Sequence, residues 1–277
     1  MSHAYAKTVE PGTIEAPLNY AVRTIAKPVS ETYGRDGLER RYTGKYEQHI
    51  VPVRDGRPEK SAFNLDVHGF ALVDHPTEMT NFFDSGELTD RYYAEMRTLI
   101  ASASGAHRVH VFDHTLRSGD EGERESRKIR EPVRAVHNDY TEWSAPRRVH
   151  DLLPPEAESL LQRRFAIIQV WRAIAEPIER DPLAIADARS IAPSDFIPAE
   201  RRFPDRVGEI YQVEFNPAHR WYWFHRMRRD EALIFKVFDS ATDGRARFSA
   251  HTSFPLADVP PDAPARQSIE IRAFAFF

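Results

Sequence analysis

One tripeptide in this sequence has the residue types and spacing for metal chemistry. Of the twelve histidines, only His137 has an acid two positions on, in His137-Asn138-Asp139. The flanks over 133–140 predict a strand. On a strand, residues i and i+2 project from one face, so His137 and Asp139 point together and Asn138 points away. A third ligand has to come from another strand. His150 stands at the start of a predicted helix and His219 in the turn Asn216-Pro217-Ala218-His219. His225 ends an aromatic run and stays open as a candidate. His251, inside the predicted strand 248–254, is the best placed. Two imidazoles and one carboxylate leave open positions on an ion, the arrangement of non-haem iron(II) oxygenases. Taken alone, a His-x-Asp pair also fits a hydrogen-bonded pair in a core.

A second feature supports the metal reading. Fifteen residues after His251 stands Arg266, with Ser268 two further on. A guanidinium fork beside a hydroxyl grips a carboxylate bidentately. Arg-x-Ser recurs at Arg124 and Arg247, but neither follows a candidate third ligand at this distance. Arg266, Ser268, Glu270 and Arg272 share one face of the last predicted strand, with Ile269, Ile271 and Ala273 on the other. Arg272 competes with Arg266 as the carboxylate clamp.

These residues need strands to position them. Predicted strands cover 67–73, 108–112, 133–140, 165–174, 183–186, 209–215, 221–225, 232–238, 248–254 and 268–277, separated by turn residues such as Asn216-Pro217 and Asp243-Gly244. Leu88, Tyr92, Met96 and Ile100 repeat every four positions and predict an amphipathic helix over 88–101. A second helix is expected over 151–164, entered through Pro154-Pro155. Residues 115–132 read as a long charged loop. Residues 1–60, rich in Pro, Gly and charge, read as an extended N-terminal arm laid on a core domain of 61–277, with 46–53 as an edge strand because of Pro52. The pattern is mainly β with flanking helices: a double-sheet jelly roll, the double-stranded β-helix of cupin-like proteins.

Composition narrows the function. Hydrophobic residues at 41% and charged residues at 29% of 277 describe a globular chain rather than a disordered one. A net charge of −4 gives no footprint for nucleic acid or an anionic membrane, and neither is an expected partner. Basic runs such as 226–229 read as solvated surface. With no cysteine, thiolate nucleophiles, zinc fingers and iron–sulfur clusters are excluded. A chain without disulfides suits a reducing compartment, and the cytoplasm is the expected location. The first seven residues carry no apolar leader. Lys236, on a strand with apolar neighbours, is expected to snorkel outward.

Taken in order, His-x-Asp, a distant His and Arg-x-Ser resemble the iron(II)/2-oxoglutarate-dependent oxygenases. Gln169-Val170-Trp171-Arg172-Ala173-Ile174, Pro182-Leu183-Ala184 with Asp187, His219-Arg220-Trp221-Tyr222, Phe238-Asp239-Ser240, His251-Thr252-Ser253-Phe254 and the segment 266–272 resemble one hydroxylase/desaturase family among them. It includes the fungal gibberellin desaturase, the aspergillic-acid hydroxylase and a protein of cephamycin methoxylation. The resemblance runs from about residue 60 to the C-terminus. It departs at Gln169 and Ala173, where the family usually has Asn and Pro.

The resemblance implies iron(II) on His137, Asp139 and His251, 2-oxoglutarate as cosubstrate with its far carboxylate on Arg266 and Ser268, and O2 as oxidant. Decarboxylation to succinate would be coupled to hydroxylation, desaturation or cyclisation of a small-molecule substrate in specialised metabolism. A carboxylate ligand at Asp139 argues against halogenation. Gln169, Trp171 and Arg172 are candidates for substrate contact, with Arg172 as an anchor for an acidic group; Trp171 in the core and Arg172 in an ion pair is the alternative.

Overall fold

Fifteen strands form among the described residues, which in the computed structural model are 12–33, 39–175, 177–257 and 259–277. In chain order they are β1 (Thr13–Val22), β2 (Val29–Tyr33), β3 (Glu39–Tyr42), β4 (Lys45–Asp55), β5 (Phe70–Asp74), β6 (Arg108–Ser118), β7 (His137–Asn138) and β8 (Phe165–Ala173). There follow β9 (Leu183–Ala186), β10 (Phe196–Arg202), β11 (Val207–Val213), β12 (Trp221–Trp223), β13 (Glu231–Asp239), β14 (His251–Ser253) and β15 (Gln267–Phe276). They make a ten-stranded sheet, β1-β4-β12-β9-β14-β7-β11-β10-β2-β3, and a five-stranded sheet, β5-β13-β8-β15-β6. This is the two-sheet jelly roll, mainly β with flanking helices, that the strand pattern predicts.

The central strands of the smaller sheet explain the layering. β8 and β13 are buried at every position, so each needs cover on both faces. Alternate residues divide between two cores. Ile167, Trp171, Leu233, Phe235 and Phe274 join Leu183, Ile185 and Tyr222 of the larger sheet in the space between the sheets. Ile168, Val170, Ile234, Ile269 and Ile271 face the other way and meet the helix Tyr93–Ser104 and the helical turn before it. Leu88, Tyr92, Met96 and Ile100 are all in that second core, so the four-residue repeat identifies the helix correctly. At roughly 1.5–3 kcal/mol for each large apolar side chain, that stripe alone holds the helix on the sheet. A third core lies on the opposite face of the larger sheet, where Ala184, Ala186, Trp221 and Trp223 alternate with the inward residues.

Some elements differ from expectation. The arm expected over 1–60 is, over residues 13–55, four strands of the larger sheet; β1 and β4 pair through ten residues from Thr13↔Arg54 to Val22↔Lys45. Ala16, Leu18, Tyr20, Val51 and Val53 alternate into the third core, a period-2 signal masked by the charge around it. β4 is one strand in from the edge. Pro52 is tolerated because only Val53–Asp55 pair with β12 on its second side. The reading of the first seven residues lies outside the described residues.

The loop expected over 115–132 contains the end of β6 and the helix Glu121–Arg127, whose N-cap Asp120 accepts from the Glu123 N–H at 2.8 Å. The helix expected over 151–164 is two helices, Ser144–Leu152 and Ala157–Leu161. Pro154-Pro155 falls between them, because proline disfavours helix in the residue before it. Strand β10 has no counterpart among the expected elements. Pro198 and the run Glu200-Arg201-Arg202 hide its alternation, and pairing with β11 supplies what propensity lacks.

Candidate metal centre

β7 has only two residues, yet it lies between β11 and β14. Its antiparallel register with β14 sets His251 directly opposite His137. The two imidazole rings lie 4.4 Å apart between centroids. Each ring is oriented by a carbonyl two residues earlier in the chain, just before its own strand. His137 Nδ1 is 2.8 Å from the Ala135 oxygen and His251 Nδ1 is 3.0 Å from the Ser249 oxygen. A carbonyl only accepts, so both Nδ1 atoms carry a proton, and the Nε2 atoms are the ones available to a metal.

Asp139 completes the group. His137 Nε2 is 3.3 Å from Asp139 Oδ1. One ligand atom from each of His137, Asp139 and His251 lies within 4.8 Å of the other two. His251 Nε2 is buried without a hydrogen-bond partner. An orphaned buried nitrogen beside a carboxylate and a second imidazole is a donor set that fits a divalent metal ion. Burial, with His137 alongside, pushes His251 down to about 4, so its ring is neutral at pH 7. Burial alone would raise the Asp139 carboxyl, but the Arg272 guanidinium foremost, with His137 beside it, more than offsets this and holds it well below the usual range. A neutral imidazole and an ionised carboxylate are the protonation states a divalent cation requires.

The second oxygen of Asp139 is held separately. Oδ2 accepts from Gln169 Nε2 at 2.5 Å and from Arg272 Nε at 3.1 Å. Gln169 and Arg272 are register partners on β8 and β15, which explains how both reach one oxygen. Oδ1 is thus the oxygen turned toward the imidazoles.

A backbone approach supports His251 from behind. Ser249, whose carbonyl orients the ring, donates its hydroxyl to the Gly69 carbonyl at 3.0 Å. Gly69 has φ of +86°, and a Cβ there would stand 2.3 Å from Ser249 Oγ. Only glycine fits both constraints.

Arg266 and Ser268 lie further along the same face of the chain. Arg266 is 3% exposed. Its Nε donates to Ser268 Oγ at 3.0 Å and its Nη1 to the Asp181 carbonyl at 2.7 Å. Its guanidinium sits 4.9 Å from the centre of the Trp171 ring. Among the described residues no carboxylate pairs with it. Arg272, the competing clamp, is fully engaged by Asp139, Asp113, Thr115 and Glu270.

The remaining expected site residues divide by strand face. Gln169 and Trp171 point between the sheets, against Asp139 and Arg266. Arg172 points the other way, into the helix-covered core, and is not brought to the site. It donates to Tyr92 Oη at 3.1 Å and to the carbonyls of His75 and Arg229 at 2.8 and 2.7 Å. Neither an anchor for substrate nor a carboxylate ion pair describes it. Lys236 does not snorkel outward: it is buried, 2.6 Å from Asp66 and 2.8 Å from Asp239. Of the other candidate ligands, His219 pairs with Asp195 at 3.0 Å. His225 lies in a turn two residues past β12, outside the group.

Comparisons with known proteins agree with this geometry. A family model described as an oxidoreductase/YMDC permease-like domain matches residues 18–276. The Fe(II)/2-oxoglutarate-dependent dioxygenase nvfI of Aspergillus novofumigatus is 34% identical over 235 residues, covering 82% of this chain and 83% of that protein. The chain belongs to the Fe(II)/2-oxoglutarate-dependent dioxygenases. The hydroxylase/desaturase CTB9 of Cercospora beticola is 36% identical over 266 residues, covering 88% of this chain and 80% of its own. A solved structure of the iron and alpha-ketoglutarate-dependent endoperoxidase NvfI superposes with a TM-score of 0.85 at 30% identity, covering 96% of this chain and 98% of that one.

As a dioxygenase of this family the protein uses iron(II), 2-oxoglutarate and O2, and acts on a small molecule. No described helix is long and apolar enough to cross a membrane. A cleft opens onto Asp139 and Arg272, walled by Tyr140, Trp143, Arg147, Arg148, Phe203 and Arg206. None of these six wall residues is legible as a site residue in the sequence. Tyr140 and Trp143 come from the segment between β7 and the helix Ser144–Leu152, and the other four from that helix and a hairpin turn, where arginine reads as surface.

Proposed function

We propose that His137, Asp139 and His251 are the iron ligands of this dioxygenase and that Arg266 with Ser268 binds the far carboxylate of 2-oxoglutarate. The observation that carries the second assignment is the state of the two candidate arginines. Arg272 already has three carboxylates around it, at Asp139, Asp113 and Glu270. Arg266 is a buried cation with none, so a dicarboxylate entering beside it supplies the missing partner. Its fork has spare N–H groups after Ser268 and the Asp181 carbonyl are served, and bidentate recognition needs two.

Iron(II) held by these ligands, with 2-oxoglutarate and O2, would supply the oxidising chemistry, O2 being the oxidant both for decarboxylation of 2-oxoglutarate to succinate and CO2 and for the substrate. The chain's own residues do the rest. His137, Asp139 and His251 would hold the ion through three donors, fewer than iron(II) takes, so that cosubstrate and O2 could bind it as well. Gln169 and Arg272 fix the Asp139 carboxylate so that one oxygen faces the imidazoles, and such outer contacts tune ligand strength. The Trp171 ring under Arg266 and the aromatic side chains around His251, such as Phe235 at 4.9 Å, keep water from the site. The outcome is an oxidation within specialised metabolism, as in the relatives; a cytoplasmic setting fits a chain without cysteine.

The test is anaerobic. Iron(II)-loaded protein should develop a visible charge-transfer band when 2-oxoglutarate is added, and His251→Ala should abolish stoichiometric iron. A normal band in His251→Ala would refute the ligand assignment.

A further inference from the structure

The cleft above Asp139 has an excess of positive charge that the ligand and cosubstrate assignments leave unexplained. One wall is the helix Ser144–Leu152, which presents Arg147 and Arg148. The facing wall is the turn between β10 and β11, closed by the Phe203 N–H donating to the Arg206 carbonyl at 2.8 Å, and it presents Phe203 and Arg206. These arginines come from segments more than fifty residues apart in the chain.

The acids of the cleft leave two of the three without a partner. Asp139 is held by Gln169 and Arg272, and Asp113 faces Arg272 at 3.2 Å. Glu209 is paired with Lys27 and accepts from Thr141 at 2.6 Å. Asp151 forms an ion pair with Arg148 at 3.9 Å, across one turn of its own helix. Arg147 and Arg206 have no carboxylate within ion-pair distance among the described residues. Each guanidinium instead lies over a ring: Arg147 is 5.1 Å from the centre of Trp143, and Arg206 is 4.1 Å from that of Phe203. Stacking occupies the face of a guanidinium and leaves its N–H edge free to bind an anion. Trp143 is itself 48% exposed, a large apolar surface turned to the cleft beside Tyr140.

We propose that the substrate of this site is an apolar organic acid: a carboxylate, sulfonate or phosphate ester with a ring-bearing body. Its anion is held by Arg147, Arg148 and Arg206, and its apolar part lies on Trp143, Tyr140 and Phe203 on the way to Asp139. This rests on reading the cleft as the mouth of the dioxygenase site. Two unpaired guanidiniums converging with a third across a cleft repel one another until an anion enters. The same positive field steers an acidic ligand in, so association slows as salt rises. The basic anchor expected of Arg172 is therefore supplied from the opposite side of the β8 strand, by residues distant in the chain.

The test uses two fluorescent probes with one ring system. 8-Anilinonaphthalene-1-sulfonate carries an anion, and N-phenyl-1-naphthylamine lacks it. Both are titrated into protein loaded anaerobically with iron(II) and 2-oxoglutarate. The sulfonate is expected to bind at least tenfold more tightly than the neutral amine. Arg147→Ala/Arg206→Ala should raise the sulfonate Kd at least tenfold and move the amine Kd by less than twofold. Arg147→Lys/Arg206→Lys, which keeps the charge, should restore much of the sulfonate affinity. Equal binding of the two probes by wild type, or a sulfonate Kd unchanged in the double alanine variant, overturns the inference. The 2-oxoglutarate band read in the same samples separates the two readings: present, only the substrate class falls; absent from wild type, the cosubstrate reading falls with it.

Discussion

Arg266→Met separates the cost of a buried cation from its use. The guanidinium is 3% exposed, with one hydroxyl, one carbonyl and one aromatic ring around it. Burial, reinforced by Arg117 nearby, pushes it down to about 9, still charged at pH 7. At about 1.4 kcal/mol per tenfold, that depression corresponds to roughly 5 kcal/mol of unrelieved burial. Methionine fills similar volume without the charge, so the ligand-free variant should be as stable as wild type or more so. The 2-oxoglutarate complex should lose about 2–5 kcal/mol, because its carboxylate enters a buried site whose charged partner is gone. In affinity that is roughly 30-fold to several-thousand-fold. Urea unfolding without ligand and anaerobic titration of the iron(II) protein with 2-oxoglutarate measure the two effects separately. Arg272→Met is the contrast. It strips the partner from Glu270 and Asp139 and should destabilise the ligand-free protein by about 3–5 kcal/mol. A 2-oxoglutarate Kd within threefold of wild type in Arg266→Met refutes the reasoning.

Three further outcomes are expected. Gln169→Ala frees Asp139 Oδ2 from one of its two donors and should weaken iron(II) binding about 10–100-fold in a chelator competition, with the fold intact; unchanged affinity would show that Arg272 suffices. Gly69→Ala forces a side chain into φ +86° and onto Ser249 Oγ. It should lower Tm and reduce iron occupancy together, since Ser249 orients His251; a lower Tm with full iron occupancy would remove Ser249 from the positioning of the ring.

Asp239 gives a pH dependence. Burial alone would raise its carboxyl, but Arg164 and Lys236 more than offset this and hold it below the ordinary value. A carboxyl depressed in the folded state stabilises above its unfolded pKa, near 4, and loses that contribution as pH falls through the folded value. Asp239→Asn should therefore be about 3–5 kcal/mol less stable at pH 7, with the gap to wild type narrowing below pH 4 in urea unfolding. A gap independent of pH would count against the ion-pair account.

Local periodicity was enough for several of these features. The two-residue repeat pairs His137 with Asp139 and Arg266 with Ser268, although Asp139 and Arg266 each stand one residue outside β7 and β15. The four-residue repeat places Leu88, Tyr92, Met96 and Ile100 in one core. Alternation also bears on Trp171 and Arg172: adjacent residues of one strand face opposite ways, so they do not serve one pocket. Which of the two faces the metal is decided only when β8 is covered by a helix on one side and the larger sheet on the other.

Pairing and chain reversal decide the remainder. His251 stands opposite His137 because β14 is the neighbour of β7, a long-range register that neither strand encodes alone. Arg266 and Arg272 look alike in the sequence, on one face of one strand. They differ because β15 passes beside β6, which brings Asp113 and Thr115 to Arg272 and leaves Arg266 without an acid. The arginines of the cleft mouth are the extreme case. A guanidinium in a helix or a turn is soluble surface by composition, and it becomes a binding group only when another segment folds across from it.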